Sequence, residues 1–518
     1  ITEELYSPIY QNSLDEQLSP DLDSMIEPLH DNGFKFVTYI NTFVTKGTKQ
    51  WDEANQGDYL VKDESNDVYI MTGPLGKKVG LVDLTNQASQ KWILSYFAKA
   101  ESLGVDGWMA DFGEWLPHDS VLHDNSTGEM MHNQYPKMWQ KLNHDFWTTT
   151  RSDGDYLYFT RSGYIGTSQY SPVTWAADQN TDWSKGDGLP TVLTSGLNLG
   201  LCGVPYFGHD IGGYFNVSGV NQKELFIRWL EIGAFSPIMR TMRGTKYREH
   251  WHFNSDAETM LIYKKYAELH TSLFPYLYSL AVQSQITGLP IMMHSYLVHP
   301  DERRLLPISD QYYFGNYMYI TPIISERTYQ KQIYLPQRNT THIVGTNNDM
   351  NNIWYDYFTR QKYQAKHEYS IDIPLDSVGV FVPAGAIIPH FFSNVQTLSD
   401  YANTQEIMNS HEMKTLRLQI YLGQNGEFTL FDDTKYTLEY HTESKKLSFS
   451  SVEIDGVVLS SCEEDKSPCF DDKNKIIQAT MRAGLHSIIG LNNKEKIFEF
   501  HIDEKLQERQ YWFQIIAP

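Results

Sequence analysis

Cysteine is scarce, three in 518 residues. So few cannot staple a disulfide scaffold, and two close cysteines fall short of the four ligands a structural zinc site needs. Cationic side chains are outnumbered, 42 Lys and Arg against 64 Asp and Glu, for a formal net charge of −22. Phosphate backbones and anionic lipid surfaces repel such a chain, which argues against nucleic-acid and membrane partners. A neutral substrate suits it better than a polyanion. No run of 18 or more apolar residues occurs, so no transmembrane helix is expected. The opening residues, ITEELYSPIY, show neither the basic nor the apolar region of a signal peptide, as in a mature or internally cleaved product. Arginine is absent from residues 1–50, so that stretch offers no rigid cationic fork to an anionic group.

What is present is apolar and aromatic. Hydrophobic residues make up 41% and aromatics 14%, with 12 Trp and 34 Tyr. Flat rings of this kind pack on sugar faces, although large β-rich proteins carry as many. Cys462 and Cys469 lie in the polar loop SSCEEDKSPCF, a spacing that suits a local disulfide, while Cys202 in an apolar stretch reads as a buried free thiol. Sequons at Asn125, Asn216 and Asn339 matter only in a secretory compartment. With the expected disulfide they point to an extracellular or lysosomal setting.

Across residues 1–300 short apolar runs alternate with helical patterns. FKFVTYI ending at Ile40, GWMAD (107–111), YLYFTRSG (156–163), VTWAAD (173–178), VPYFGHDIGG (204–213) and LPIMMHSYL (289–297) read as strands. Helices are expected over about 22–30, 88–103, 223–233 and 257–282. Continuous apolar strands alternating with helices mean a parallel sheet covered by helices, and at this length a (β/α)8 TIM barrel. After about Asp301 the texture becomes short alternating strands between turns, as in QYYFGNYMYITP and GVFVPAGAIIP. That pattern reads as antiparallel β-sandwich, proximal over 301–390 and distal over 391–518. Six strands precede it. The barrel is therefore expected to lack its first strands in this chain: either an N-terminal portion precedes this sequence, or a separate N-terminal fragment of the same precursor is the partner that completes the barrel.

Barrel enzymes carry their chemistry at the C-terminal ends of strands. Asp111 closes GWMAD and Asp178 closes VTWAAD. Glycoside hydrolysis needs two carboxyl groups flanking one bond, one ionised to attack the anomeric carbon and one protonated to release the leaving oxygen. A separation of roughly 5–5.5 Å makes that attack direct and retains configuration.

The residues around these aspartates resemble glycoside hydrolase family 31. Gly107-Trp108-Met109-Ala110-Asp111-Phe112-Gly113-Glu114 is similar to the family's nucleophile signature, in the branch that holds sulfoquinovosidases and α-xylosidases. Trp175-Ala176-Ala177-Asp178 resembles the acid/base signature Trp-x-Gly-Asp, with Ala177 at the glycine. Phe159-Thr160-Arg161-Ser162-Gly163 and Gly208-His209-Asp210-Ile211-Gly212-Gly213-Tyr214 resemble two further motifs, and the β-rich stretches match the family's C-terminal domains in order. The resemblance implies a retaining, exo-acting α-glycosidase with a carbohydrate substrate, no metal and no cofactor. Asp111 would be the nucleophile and Asp178 the acid/base. Arg161 would bind sugar hydroxyls or form a structural ion pair. Trp108 and Trp175 would wall the pocket or fill the barrel. Glu114 would position a neighbouring group or cap a helix, Asp210 would bind substrate directly or as a supporting acceptor, and Tyr214 and Met242 would lie at the substrate.

Two departures bear on specificity. The sulfoquinovosidase branch grips a sulfonate through an arginine and a tryptophan, and alignment through SPDLDSMI puts Ser7 and Tyr10 at those places. The family follows an arginine, two residues on, with a sugar-binding histidine; here Met242 follows Arg240. A thioether cannot donate the bond an imidazole would, unless Arg243 takes over. The expectation is an active α-glycosidase, most simply for α-glucosides. The alternatives are a weak or inactive glycosidase-like binding protein and a sulfoquinovosidase.

Overall fold

The computed structural model describes residues 21–391 apart from 74–75, 172, 218–221, 247 and 338–351, and beyond 391 residue 424 and strand segments between 415 and 516. The chain divides into two compact units at Trp175/Ala176.

The first unit is built on parallel strands Val37–Ile40, Gly107–Ala110, Leu157–Thr160 and Val173–Trp175, paired in that order. Every residue of Gly107–Ala110 is buried, the signature of a strand covered on both faces. Helix Gln87–Glu101 shows how local sequence sets these elements. The Asn86 side chain caps its start by accepting the Ala88 N–H, and Ser89, Ile93, Phe97 and Ala100 fall on one buried stripe. Helix Tyr135–Thr150 buries Tyr135, Trp139, Leu142 and Trp147 in the same way. A small antiparallel sheet, Phe43–Thr45 with Lys78–Leu81 and Met71–Thr72, follows the first strand, with helix Lys49–Gln56 beside it.

The second unit begins with another parallel pair, Tyr206–Ile211 and Ile238–Thr241. Helix Gln222–Ala234, buried nearly throughout, connects them. The strand Ile238–Thr241 was not among the sequence expectations, because it is short, half-exposed and interrupted by Arg240. The helix expected over 257–282 is two helices, Ala257–Ser272 and Phe274–Thr287. Pro275 lacks an N–H and cannot continue the first, but it fits the first turn of the second. LPIMMHSYL is also corrected: Met292–His294 pairs antiparallel with Tyr312–Phe314, so it belongs to the β-rich region and not to the parallel strands. Its partner lies downstream, which no local pattern reveals.

That β region holds a six-stranded antiparallel sheet, ordered 292–294, 312–314, 318–321, 379–383, 353–356, 362–364. A hairpin-like pair Gln330–Leu335/His367–Asp372, a five-stranded sheet and a four-stranded sheet complete it. One continuous apolar core joins helix Gln222–Ala234 to the first of these sheets through Trp229, Phe235, Tyr312, Phe314 and Val380. No helix among the described residues is long and apolar enough to cross a membrane.

Candidate active site

In the first unit the candidate nucleophile follows directly on strand Gly107–Ala110. The parallel register sets Tyr39 beside Met109 and Met109 beside Phe159, so these three share one face. Asp111 continues that face, because side chains alternate along a strand. Its main-chain N–H donates to the Ile40 carbonyl (2.9 Å), which carries the strand pairing one residue further. The residue is 6% exposed. Oδ1 accepts the Phe112 N–H at 2.8 Å and lies 3.2 Å from Arg161 Nε; Oδ2 accepts the Tyr39 hydroxyl at 2.6 Å. All three contacts favour the ionised carboxylate, the form a nucleophile needs.

The turn after Asp111 explains the Asp-Phe-Gly sequence. Phe112 and Gly113 both adopt positive φ, 59° and 110°. A Cβ at Gly113 would lie 2.9 Å from Ser162 Oγ, and that hydroxyl donates to the Phe112 carbonyl at 2.6 Å. Only glycine allows this approach in this conformation. Arg161 stacks over the Phe112 ring at 3.9 Å and also holds Glu114 Oε1 through Nε (3.0 Å) and Nη2 (2.5 Å). The alternative left open for Arg161 is thus resolved in one respect: it is ion-paired to two carboxylates. Glu114 is its partner rather than a helix cap.

Trp108 is corrected. It sits one position out of phase with Met109, hence on the opposite face, wholly buried. Its ring packs on Trp147 (4.5 Å), Phe97 (4.7 Å) and Phe146 (5.6 Å), and Nε1 donates to Asn143 Oδ1 at 2.6 Å. It fills the helix layer and does not wall a sugar pocket. Trp175 packs edge-on against Phe159 at 5.4 Å, on the same face as Asp111. Its buried Nε1 has no acceptor among the described residues. Tyr39 was missed; the signal for it was a tyrosine at the end of the strand next to the nucleophile's.

In the second unit Asp178 is half-buried on the loop that follows Trp175. Ala177, which stands at the family's glycine, has φ 62°. The left-handed turn is therefore kept although the residue that suits it is gone. The loop is braced from behind. The Ala176 N–H donates to the Gly208 carbonyl at 3.0 Å, and the Gln179 carbonyl accepts the N–H groups of Tyr214 (2.8 Å) and Phe215 (2.9 Å). Gly212 and Gly213, at φ 98° and 82°, make this possible; a Cβ on Gly213 would meet the Asn180 carbonyl oxygen at 3.0 Å. Tyr214 thus orders the main chain behind Asp178. Its carbonyl accepts the Thr245 N–H at 2.9 Å, with Gly244 packed too close for any side chain.

Asp210 and Arg240 are in register on adjacent parallel strands and form an ion pair through Nη2 and Oδ1. Arg240 Nη1 lies 3.6 Å from Met242 Sδ. The thioether is accordingly a weak acceptor for that arginine, and Arg243 is exposed. His209 is buried among aromatics. Burial, with Arg240 acting in the same sense, pushes its pKa down to about 3. Its neutral ring accepts from Trp229 Nε1 at 3.0 Å, so Nε2 carries the proton toward Ser236 Oγ at 3.1 Å. This is a satisfied core histidine.

Cys202 is exposed, at the end of helix Leu189–Leu201, and not buried as expected. Asn125 is exposed in a turn at φ 66°, whereas the Asn216 side-chain nitrogen, the atom a glycan would take, is buried. Ser7, Tyr10, Asn339, Cys462 and Cys469 lie outside the described residues. Among the described residues no group of three or more His, Cys, Asp or Glu is arranged to hold a metal ion.

Comparison with known proteins accounts for this arrangement. Residues 9–280 match the glycosyl hydrolases family 31 TIM-barrel domain, and residues 288–388 match the glycosyl hydrolase family 31 C-terminal domain. The chain is 37% identical over 326 residues to a sulfoquinovosidase of Escherichia coli (strain K12), covering 62% of this chain and 48% of that protein. It is 27% identical over 438 residues to an alpha-xylosidase of Saccharolobus solfataricus, covering 82% and 54%. Among solved structures, a family 31 sulfoquinovosidase from E. rectale in complex with an aza-sugar inhibitor aligns with TM-score 0.67 and 27% identity, over 73% of this chain and 55% of that one. A Flavobacterium johnsoniae family 31 dextranase shares the fold, with TM-score 0.71 at 23% identity, over 92% and 57%. The chain spans about half the length of the curated relatives it matches. With a TIM-barrel domain over residues 9–280 followed by a C-terminal domain over residues 288–388, the chain belongs to glycoside hydrolase family 31.

Proposed function

We propose that this chain carries the machinery of a retaining, exo-acting α-glycosidase for an uncharged sugar, most simply an α-glucoside. The observation that carries the reading is the anchoring of Asp111, with the Phe112 N–H and the Arg161 ion pair at Oδ1 and the Tyr39 hydroxyl at Oδ2. In the first step the Asp111 carboxylate attacks the anomeric carbon, and the glycosidic C–O bond breaks as Asp178 gives its proton to the departing oxygen. In the second, Asp178 takes a proton from water, the resulting hydroxide attacks the same carbon, and the ester to Asp111 is released. Arg161 offsets the charge of the Asp111 carboxylate and is itself held by Glu114.

Two observations bear on the sugar. Two of the relatives reported above, at 37% and 27% identity, are sulfoquinovosidases, which favours an anionic glycone. Against it, residues 1–50 hold no arginine, and Arg161 and Arg240 are both already paired with carboxylates. A sulfonate bound without a cationic partner would be weakly held. Met242 supports the third reading, a sugar-binding protein of low activity, because it removes a donor.

Incubation with 5-fluoro-α-glycosyl fluorides, which trap a retaining nucleophile, decides among these. Labelling of Asp111 best by the glucosyl reagent is the expected result. Best labelling by the sulfoquinovosyl reagent would transfer the reading to sulfoquinovosides. No label from any sugar would refute hydrolysis and leave the binding protein.

A further inference from the structure

We propose that Tyr39 is a positioning residue for the nucleophile, holding Asp111 Oδ2 in place through a donated phenolic hydrogen bond. The inference rests on the reading of Asp111 as nucleophile and deepens it. Tyr39 lies on the adjacent parallel strand, in register with Met109, so its side chain projects from the face that Asp111 shares. The hydroxyl meets Oδ2 at 2.6 Å, and Tyr39 is 8% exposed. A bond to an ionised acceptor in such a site is among the strong ones. Asn41 Nδ2 lies 3.4 Å from the same hydroxyl, and the Asn41 carboxamide oxygen is fixed by the Phe43 N–H at 2.8 Å. The phenol's orientation is thereby set by the loop that follows its own strand.

The charged groups around Asp111 in this unit include Arg161, which follows strand Leu157–Thr160, and Glu114, which is paired with the same arginine. Arg161 and the Phe112 N–H meet Oδ1, and the Tyr39 hydroxyl meets Oδ2. Tyr39 completes a clamp that sets the plane of the carboxylate, and attack on an anomeric carbon depends on that plane. Because the hydroxyl is a neutral donor, it steadies the charge without neutralising it. As the ester forms and Asp111 loses its charge, the bond weakens and offers little resistance to the step.

The test uses the full chain, with α-glucosyl fluoride as substrate and the 5-fluoro analogue as trap. Tyr39→Phe keeps the ring and removes only the donor. The expected result is a fall in kcat of about 10- to 100-fold with KM nearly unchanged. The acid limb of the kcat/KM profile should also move up by about one pH unit, because the charged form of the nucleophile has lost a donor. 3-Fluorotyrosine at position 39, a stronger donor of nearly the same shape, should move that limb down. Circular dichroism and thermal melting at each pH separate these effects from unfolding. An acid limb that stays put in both proteins, or a Tyr39→Phe change confined to melting temperature, would overturn the proposal while Asp111 labelling in the parent protein still stood. Failure of the parent protein to label Asp111 would instead remove the reading beneath it, and Tyr39 with it.

Discussion

Replacing Arg228 by methionine should destabilise the second unit by about 3–5 kcal/mol, the range for breaking a buried ion pair from one side. Arg228 and Glu231 are both fully buried, one turn apart on helix Gln222–Ala234. The guanidinium Nη1 reaches Glu231 Oε2 (3.2 Å) and the carbonyls of Ser377 (2.9 Å) and Pro374 (3.0 Å); Nη2 reaches those of Ile373 (2.9 Å) and Thr328 (3.3 Å). The arginine therefore ties a barrel helix to loops of the β region, and methionine would leave four carbonyls and one carboxylate without it. Burial already pushes the Glu231 carboxyl well above the ordinary range, with Arg228 pulling the other way. Without Arg228 its folded value rises further. A carboxyl raised above its unfolded value contributes stability that is present below about pH 4.5 and lost as pH rises through the folded value. The variant should accordingly lose more at pH 8 than at pH 5. Adding Glu231→Leu should restore about 1–2 kcal/mol and remove the pH dependence, since the stranded charge is gone while the carbonyls remain unmet. The chain is too large to assume two-state unfolding. Hydrogen exchange of peptides spanning 222–234 and 373–377 in increasing urea is therefore the assay. A loss below about 1 kcal/mol, or one that is equal at both pH values, would refute the reasoning.

Two further substitutions test the site. Ala177→Gly should stabilise the Asp178 loop by about 0.5–1 kcal/mol, the relief of a left-handed alanine less the added chain entropy of glycine; slower exchange of the amides at 176–180 would show it, and faster exchange would contradict it. Trp108→Phe should cost about 1–3 kcal/mol through the lost bond to Asn143 and a partial cavity. KM should be untouched, and a raised KM at unchanged stability would put Trp108 back at the sugar.

The parallel strands carrying Asp111, Arg161 and Asp210 could be read directly, because buried parallel strands are continuous apolar runs ending where polar chemistry begins. The glycines of DFGE and GHDIGG were legible as motifs, but their reason was not. Gly113 yields to Ser162 and Gly213 to Asn180, contacts between residues distant in sequence. Strand 238–241 escaped notice because a half-exposed run holding Arg240 has no apolar signature; only the register with 206–211 makes it a strand. Met292–His294 was seen as a strand and put in the wrong sheet, since period and composition do not encode the partner.

The sequence alone determined the family and the succession of parallel strands and helices followed by a β-rich region, because these reside in local patterns and motif spacing, and it singled out Asp111 and Asp178 as the candidate carboxylates. Tertiary structure decided which face each side chain occupies and what it touches. It turned Trp108 from a pocket wall into helix-layer core, bound Arg161 to Asp111 and Glu114, and set Tyr39 against the nucleophile. Those outcomes depend on strand register, in which a shift of a single residue exchanges the two faces of a sheet.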